Sequence, residues 1–302
     1  MVDLGIVILN WNTRDLLARC LETVLASDGD ITYRVIVVDN ASSDGSADMV
    51  RQRFPGVELI ASAVNGGYSY GNNLGLRALG FHGAGQVDAD APRYALLLNP
   101  DTEVPPDALC AMVRLMDARP QIGVAGPKLV LEDGSLDLAC RRSFPSPEVS
   151  FYRFSGLARL FPNSPRFGRY NMTFVDADQE LEVDSVVGAY MQVRREAIAA
   201  AGLLDETFFM YGEDLDWAYR IKQGGWTVFY YPKVVVKHVK RAASRRSRKA
   251  QFEFQRAMLI FYRKHYRQTT PLWLHSLVMA GLLLKGGPDL WPEIRHPAPA
   301  ST

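Results

Sequence analysis

Four short stretches of this sequence place oxygen- or nitrogen-bearing side chains where they could do chemistry. Asp39 ends the apolar run Val35-Ile36-Val37-Val38 and is followed by Asn40-Ala41-Ser42-Ser43-Asp44-Gly45-Ser46. A carboxylate there can accept hydrogen bonds from a base or a ribose, and it can equally cap a turn. Asn99-Pro100-Asp101 sets two oxygen donors around one residue, a pattern suited to Mg²⁺ or Mn²⁺ bridging diphosphate oxygens, or to a proline turn. Glu213-Asp214-Leu215-Asp216-Trp217 puts three carboxylates in four residues behind Phe208-Phe209-Met210-Tyr211. Helical spacing turns Glu213 and Asp214 about 100° apart, so one can act as a base while the other braces the loop. Asp216 and Arg220 are spaced for an ordinary i,i+4 ion pair. His238, after Val234-Val235-Val236-Lys237, is a metal donor or a structural imidazole.

The elements that must hold these residues are legible from periodicity. Gly5 to Leu9, Val35 to Val38 and Tyr94 to Leu98 are short and apolar, as buried strands are, and Val57 to Ile60 is a weaker third strand in the series. Between the first two, Thr13 to Ala26 places Leu16, Leu17, Cys20, Leu21, Val24 and Leu25 on one helical face, with Thr13 as the expected N-cap. Strands alternating with helices predict a doubly wound, mostly parallel α/β sheet, which binds ligands beyond the carboxyl ends of its strands. Asn10, Asn12, Asp39, Asn99 and Asp101 all follow strand ends at that edge. His82 to Arg93 reads as a surface loop, Cys140 to Glu180 as a long irregular excursion, Leu181 to Val193 as two strands around Gly188, and Arg194 to Ala201 as a short helix. No Gly-x-Gly-x-x-Gly follows the first strand, which argues against a dinucleotide site.

Several of these stretches occur together, in order, in a known family. Ile8-Leu9-Asn10-Trp11-Asn12, Val37 to Ser46, Asn65-Gly66-Gly67-Tyr68 with Gly71-Asn72-Asn73-Leu74-Gly75, Leu97 to Asp101, Gly188-Ala189-Tyr190-Met191, Phe209 to Trp217 and His238 form the series. It resembles the inverting family 2 glycosyltransferases of GT-A fold, especially their bacterial rhamnosyltransferase-like branch, over roughly residues 4 to 240. The resemblance implies a nucleotide-diphosphate sugar donor, thymidine diphosphate rhamnose before a uridine diphosphate sugar, and a saccharide or lipid-linked saccharide acceptor. It places Asn10, Trp11 and Asp39 at the nucleoside and Asn73 near the diphosphate. Asn99, Asp101 and His238 would hold Mg²⁺ or Mn²⁺, with Asp101 also facing the donor. Asp214 would be the catalytic base, with Gly188 and Glu213 supporting the acceptor side. Asn99 departs from the family's more frequent Asp, which weakens a cation's hold without moving it.

Composition sets the remaining limits. The chain has 302 residues, 48% hydrophobic and 22% charged, with a net charge of +1, which argues against nucleic acid as a partner. Cys20, Cys110 and Cys140 lack metal-ligand spacing and fit a reducing, cytoplasmic setting. The expected organisation is a GT-A domain over 1–240, with a nucleotide-sugar half (1–103) and an acceptor half (104–240), then a helical extension over 241–302. Six basic residues fall between Lys240 and Lys249, followed by the aromatic-rich Phe252 to Tyr262. Leu272 to Leu284 is apolar but too short to span a bilayer, and suits either an interfacial helix or a buried one. Together 240–285 suggest peripheral contact with the inner face of a membrane. Two other functions compete: a non-catalytic sugar-nucleotide or membrane-surface binding protein, which has no use for a base at Asp214, and a nucleotidyltransferase. The latter wants a Gly-rich basic loop where Asn10-Trp11-Asn12-Thr13-Arg14 stands.

Overall fold

A computed structural model describes residues 2–240 and 248–295. Arg241, Arg245 and Arg246 of the basic run lie outside the described residues. The first half runs β1 (Leu4–Asn10), α1 (Arg14–Leu25), β2 (Tyr33–Asn40), α2 (Ser46–Arg53), β3 (Glu58–Ser62) and α3 (Gly67–Ala78). A small hairpin, β4 (Phe81–Gly83) and β5 (Gln86–Val87), precedes β6 (Tyr94–Leu98). Then come β7 (Thr102–Glu103), α4 (Ala108–Ala118), β8 (Ile122–Val130), α5 (Pro147–Phe154), α6 (Leu157–Leu160), β9 (Leu181–Val183), β10 (Tyr190–Arg194) and α7 (Arg195–Ala201). The chain continues through α8 (Glu213–Gln223), β11 (Thr227–His238), α9 (Arg248–His265), α10 (Leu272–Gly286) and α11 (Trp291–Arg295).

The main sheet has the order β3-β2-β1-β6-β10-β8-β11-β7, with β9 paired to β11. Strands β3, β2, β1 and β6 are mutually parallel, as expected for a doubly wound half. Beyond them the sheet is mixed: β10 runs antiparallel to both neighbours, while β8 and β11 are parallel. Chain order reverses at β1, between β2 on one side and β6 on the other, so a crevice opens at the carboxyl ends of β1 and β6. Helix α3 lies unusually close to β1. A Cβ on Gly71 would stand 2.2 Å from Leu9, and one on Gly75 2.4 Å from Val7. Their i,i+4 spacing makes that face of the helix flat.

Three expectations need correction. Leu25 is exposed, because it closes the last turn of α1 beyond the sheet it packs on. Thr13 does precede α1, but its hydroxyl donates to Asn10 Oδ1 (2.6 Å) and caps nothing. The 82–93 loop contains the β4–β5 hairpin, tied to α7 through Gly85 N–H to Ala199 O (2.8 Å).

The C-terminal helices are docked by both apolar and ionic contacts. Phe208, Leu215, Ala257 and Phe261 form one buried cluster between α9 and the residues around α8. Beside it the fully buried Asp216 accepts from Arg220 Nε (2.8 Å), as its spacing suggested, and from His265 Nε2 (2.8 Å), and it pairs with Lys264 Nζ (2.9 Å). Helix α10 buries only Leu282 fully, against Leu259 of α9, and leaves Leu272, Trp273, Leu277 and Leu284 exposed. No described helix is long and apolar enough to cross a membrane. Replacing Asp216 by Ala removes the buried carboxylate shared by Arg220, Lys264 and His265, of which Lys264 keeps Asp205 as a partner. It should cost about 3–5 kcal/mol in denaturant unfolding, and a change under about 1 kcal/mol would show that the ion cluster does not dock α9.

Candidate active site

The parallel register sets Asn10 of β1 directly opposite Asp39 of β2. Both are buried, and Asn10 Nδ2 donates to Asp39 Oδ1 (2.9 Å) and to Ser42 Oγ (3.1 Å). Asp39 Oδ2 accepts the Ser42 N–H (3.0 Å), so the loop after β2 folds back on its own carboxylate. Trp11 projects from the same edge with 54% of its surface exposed, an open aromatic face. Asn12 and Ala41 hold positive φ of 52° and 62°, a conformation that costs non-glycine residues energy and gathers at binding loops. Asn40 braces the next segment by donating to Asn65 Oδ1 (3.0 Å) and Gly67 O (3.1 Å).

The residue expected beside the diphosphate behaves otherwise. Asn73 donates to Leu204 O (2.9 Å) and Glu206 Oε1 (2.8 Å) and accepts from Leu204 N–H (3.1 Å). Both amide hydrogens are spent, so its side chain is a tie between α3 and the 204–206 segment and has no donor left for a phosphate.

Asn99 and Asp101 sit just past β6, half-buried. Strand β7 then pairs with the end of β11, Thr102 opposite His238, and this brings His238 Nε2 to 3.2 Å from Asp101 Oδ1. That oxygen is buried and accepts no hydrogen bond. On the other side His238 Nδ1 meets Asp137 Oδ2 (2.9 Å), which Lys240 Nζ also reaches (2.5 Å). Burial opposes ionisation of Asp137, but the His238 and Lys240 contacts outweigh it and hold its carboxyl well below the usual range. Burial likewise resists charge on His238, and the flanking Asp101 and Asp137 carboxylates overcome it and raise its pKa. An imidazole fixed through Nδ1 by a carboxylate, with Nε2 facing a second carboxylate oxygen at 3.2 Å, sets nitrogen and oxygen donors side by side as a divalent cation requires. Among the described residues no three His, Cys, Asp or Glu side chains cluster as metal ligands, so such an ion would need Asn99 and ligand oxygens as well.

Across the crevice the acidic start of α8 is organised by a residue the sequence did not single out. Arg142, buried, donates through Nη2 to Asp214 Oδ2 (2.7 Å) and Val186 O (2.7 Å). Gly188 N–H donates to the same Asp214 oxygen (3.0 Å), and Leu215 N–H to Oδ1 (2.8 Å). Gly188 O accepts from Tyr68 Oη (2.8 Å), and a Cβ on Gly188 would stand 2.5 Å from that hydroxyl. Three donors therefore occupy Asp214, and a carboxylate has about four acceptor positions, so room remains for one hydroxyl. Glu213 differs. It is buried and its Oε2 has no partner. Desolvation, then the neighbouring Asp214 charge, push its pKa up to about 8. Burial and the charges of Glu213 and Asp214 also raise the Tyr68 hydroxyl, which places these three groups together. Sequence gave no signal for Arg142 or Asp137, each of whose partners is remote in the chain.

A family profile described as "Glycosyltransferase like family 2" matches residues 3–256. The N-acetylglucosaminyl-diphospho-decaprenol L-rhamnosyltransferase of Mycobacterium tuberculosis is 30% identical over 223 residues, 73% of this chain and 72% of that protein. Rhamnosyltransferase WbbL of Escherichia coli is 27% identical over 233 residues, 75% of this chain and 80% of that one. In fold, the chain resembles the mannosyltransferase PcManGT from Pyrobaculum calidifontis, solved with GDP-Man and Mn²⁺. The TM-score is 0.57 at 16% identity, covering 99% of this chain and 79% of that one. GalNAc-T7 with UDP, GalNAc and Mn²⁺ gives 0.59 at 15% identity, covering 97% and 56%.

The Glu213 environment has a measurable consequence. Its folded pKa of about 8 lies above the ordinary 4.5, so the folded state holds the proton more tightly than the unfolded chain. Its contribution to stability is complete below about pH 4.5 and is lost as pH rises through about 8. Glu213→Gln should match wild type in thermal melts near pH 5 and exceed it above about pH 8. Parallel curves over that range would show that Glu213 is not held protonated.

Proposed function

The chain belongs to glycosyltransferase family 2, and we propose that it transfers a sugar, rhamnose from thymidine diphosphate rhamnose, onto a hydroxyl of a lipid-linked or cell-envelope saccharide with inversion at the anomeric carbon. The observation that carries this reading is the meeting of two sets of residues at one crevice. Asn10, Trp11 and Asp39 offer hydrogen bonds and an open indole to a nucleoside at the ends of β1 and β2. Asn99, Asp101 and His238 would hold Mg²⁺ or Mn²⁺, whose charge offsets that of the departing diphosphate.

The acceptor hydroxyl takes the remaining acceptor position on Asp214. Its oxygen attacks the anomeric carbon as the bond to the diphosphate breaks, the electron pair leaves with the diphosphate, and the proton passes to Asp214. Asp214 suits this better than Glu213, because Arg142 gives it a counter-charge while a Glu213 titrating near pH 8 already holds its proton at neutral pH. Gly188 presents its N–H to Asp214, and Tyr68 fixes the Gly188 carbonyl. A lipid-borne acceptor brings the protein to the inner face of a membrane, and the exposed Leu272, Trp273, Leu277 and Leu284 of α10 within 240–285 suit that contact.

The test is transfer from a panel of nucleotide sugars to a polyprenyl-diphosphate saccharide with Mg²⁺ or Mn²⁺. We expect one donor to be used, with turnover abolished by EDTA. Asp214→Asn should lower kcat by about 10²–10⁴-fold, with Glu213→Gln within about tenfold of wild type. If donor binds without transfer and Asp214→Asn binds it equally well, the protein is a binding module.

A further inference from the structure

The excursion between Cys140 and β9 is a folded flap with its root in the active site. Arg142 and Ser185 exchange backbone hydrogen bonds (2.9 and 3.0 Å) at that root, where Arg142 also holds Asp214. Arg141 ties down the returning segment by donating to Asp176 O (2.5 Å) and Val175 O (2.6 Å). At the tip lie α5 and α6. Ser146 caps α5 through the Val149 N–H (3.3 Å), and Pro147 starts it. Val149 and Tyr152 turn inward, with Tyr152 edge-on to Phe167 (5.0 Å). The opposite side is apolar too. Phe151 is 60% exposed, Phe154 41%, Leu160 68% and Phe161 47%.

Four large apolar side chains exposed within eleven positions are unusual for a surface that meets only water. The charges beside them have one sign. Between Glu148 and Arg169 the chain carries Arg153, Arg159, Arg166 and Arg169 against the single acid Glu148, and all four arginines are exposed. Apolar side chains interleaved with exposed guanidinium groups complement a bilayer of anionic lipid, where the rings enter the acyl boundary and the arginines meet headgroups.

We propose that the tip of this flap, Phe151, Phe154, Leu160 and Phe161 with Arg153 and Arg159, is a lipid-contacting surface that seats the acceptor side of the crevice on an anionic membrane. The contact rests on this surface alone. Its service to catalysis rests on the lipid-borne acceptor proposed above, since the flap leads from the bilayer to the residue that holds the base.

The experiment sediments the full chain with vesicles of phosphatidylcholine containing about 30% phosphatidylglycerol, and with phosphatidylcholine alone, without donor or acceptor. Wild type should bind the anionic vesicles, less tightly at high salt. The quadruple variant Phe151→Ser/Phe154→Ser/Leu160→Ser/Phe161→Ser and the single variant Leu160→Glu should each bind at least about tenfold more weakly, with unchanged melting temperatures. Arg153→Gln/Arg159→Gln should abolish the preference for anionic lipid. A variant replacing Leu272, Trp273, Leu277 and Leu284 of α10 by Ser runs in parallel. If it alone loses binding while the flap variants match wild type, the proposal is overturned. It is equally overturned if wild type binds no vesicles, or if the flap variants only dissociate a dimer. Because no substrate is present, failure of transfer leaves this outcome readable, and transfer to a short water-soluble acceptor by the flap variants separates lost docking from lost chemistry.

Discussion

The Arg142–Asp214 pair is the contact on which the mixed second half of the sheet and the start of α8 are built. A guanidinium as buried as this one is tolerated only with its charge matched. Asp214 matches it at 2.7 Å, while Val186 O and Ser185 Oγ take further bonds from the same nitrogen. One side chain therefore fixes three segments against each other: the flap root, the stretch entering β10, and the first turn of α8. Gly188 then reaches the same carboxylate because β10 has been placed, and Tyr68 reaches Gly188 because α3 lies flat on β1. Truncating Arg142 would leave Asp214 uncompensated and loosen all of these contacts together.

How much of this could be read in the sequence follows the range of the interactions. Buried strands and the inward face of α1 are set by local pattern, and β1, β2 and β6 stand where the apolar runs are, while the weaker run forms the half-exposed edge strand β3. The doubly wound sheet could then be argued from alternation with helices, and with it the edge where ligands bind. Leu25 departed because periodicity alone does not say where the covering sheet stops. The flap was opaque for a different reason. Its order comes from Arg141 donating to carbonyls more than thirty residues away and from the Tyr152–Phe167 contact, and neither leaves a period in the chain. The mixed second half of the sheet was likewise invisible, since β10 is antiparallel for tertiary reasons.

The site divides along the same line. Asn10, Asp39, Asn99 and Asp101 were legible because each directly follows an apolar strand, and His238 because it ends one. Their partners were not. Asp137 lies in an unremarkable Leu136-Asp137-Leu138 stretch, yet it orients the His238 ring from 101 positions away. Asn73 shows the converse: a polar residue in a motif-like run can be wholly occupied in packing one segment on another. Spacing identifies which side chains can reach a ligand edge, but only the hydrogen-bond accounting says which of them are free to use it.

That accounting also explains how two adjacent acids on one helix start come to differ. A hundred-degree turn sends Asp214 toward Arg142 and the Gly188 N–H, and leaves Glu213 in a dry environment beside a like charge. Asp214 is paired with Arg142, while desolvation and the neighbouring Asp214 charge push Glu213 up to about 8, a difference of environment rather than of chemistry between Asp and Glu. An ionised Glu213 would set a further negative charge in a dry environment beside Asp214 and Tyr68, and holding its proton avoids that. The two acids are therefore set apart by the burial of α8 under α9 and by the single arginine at the root of the flap.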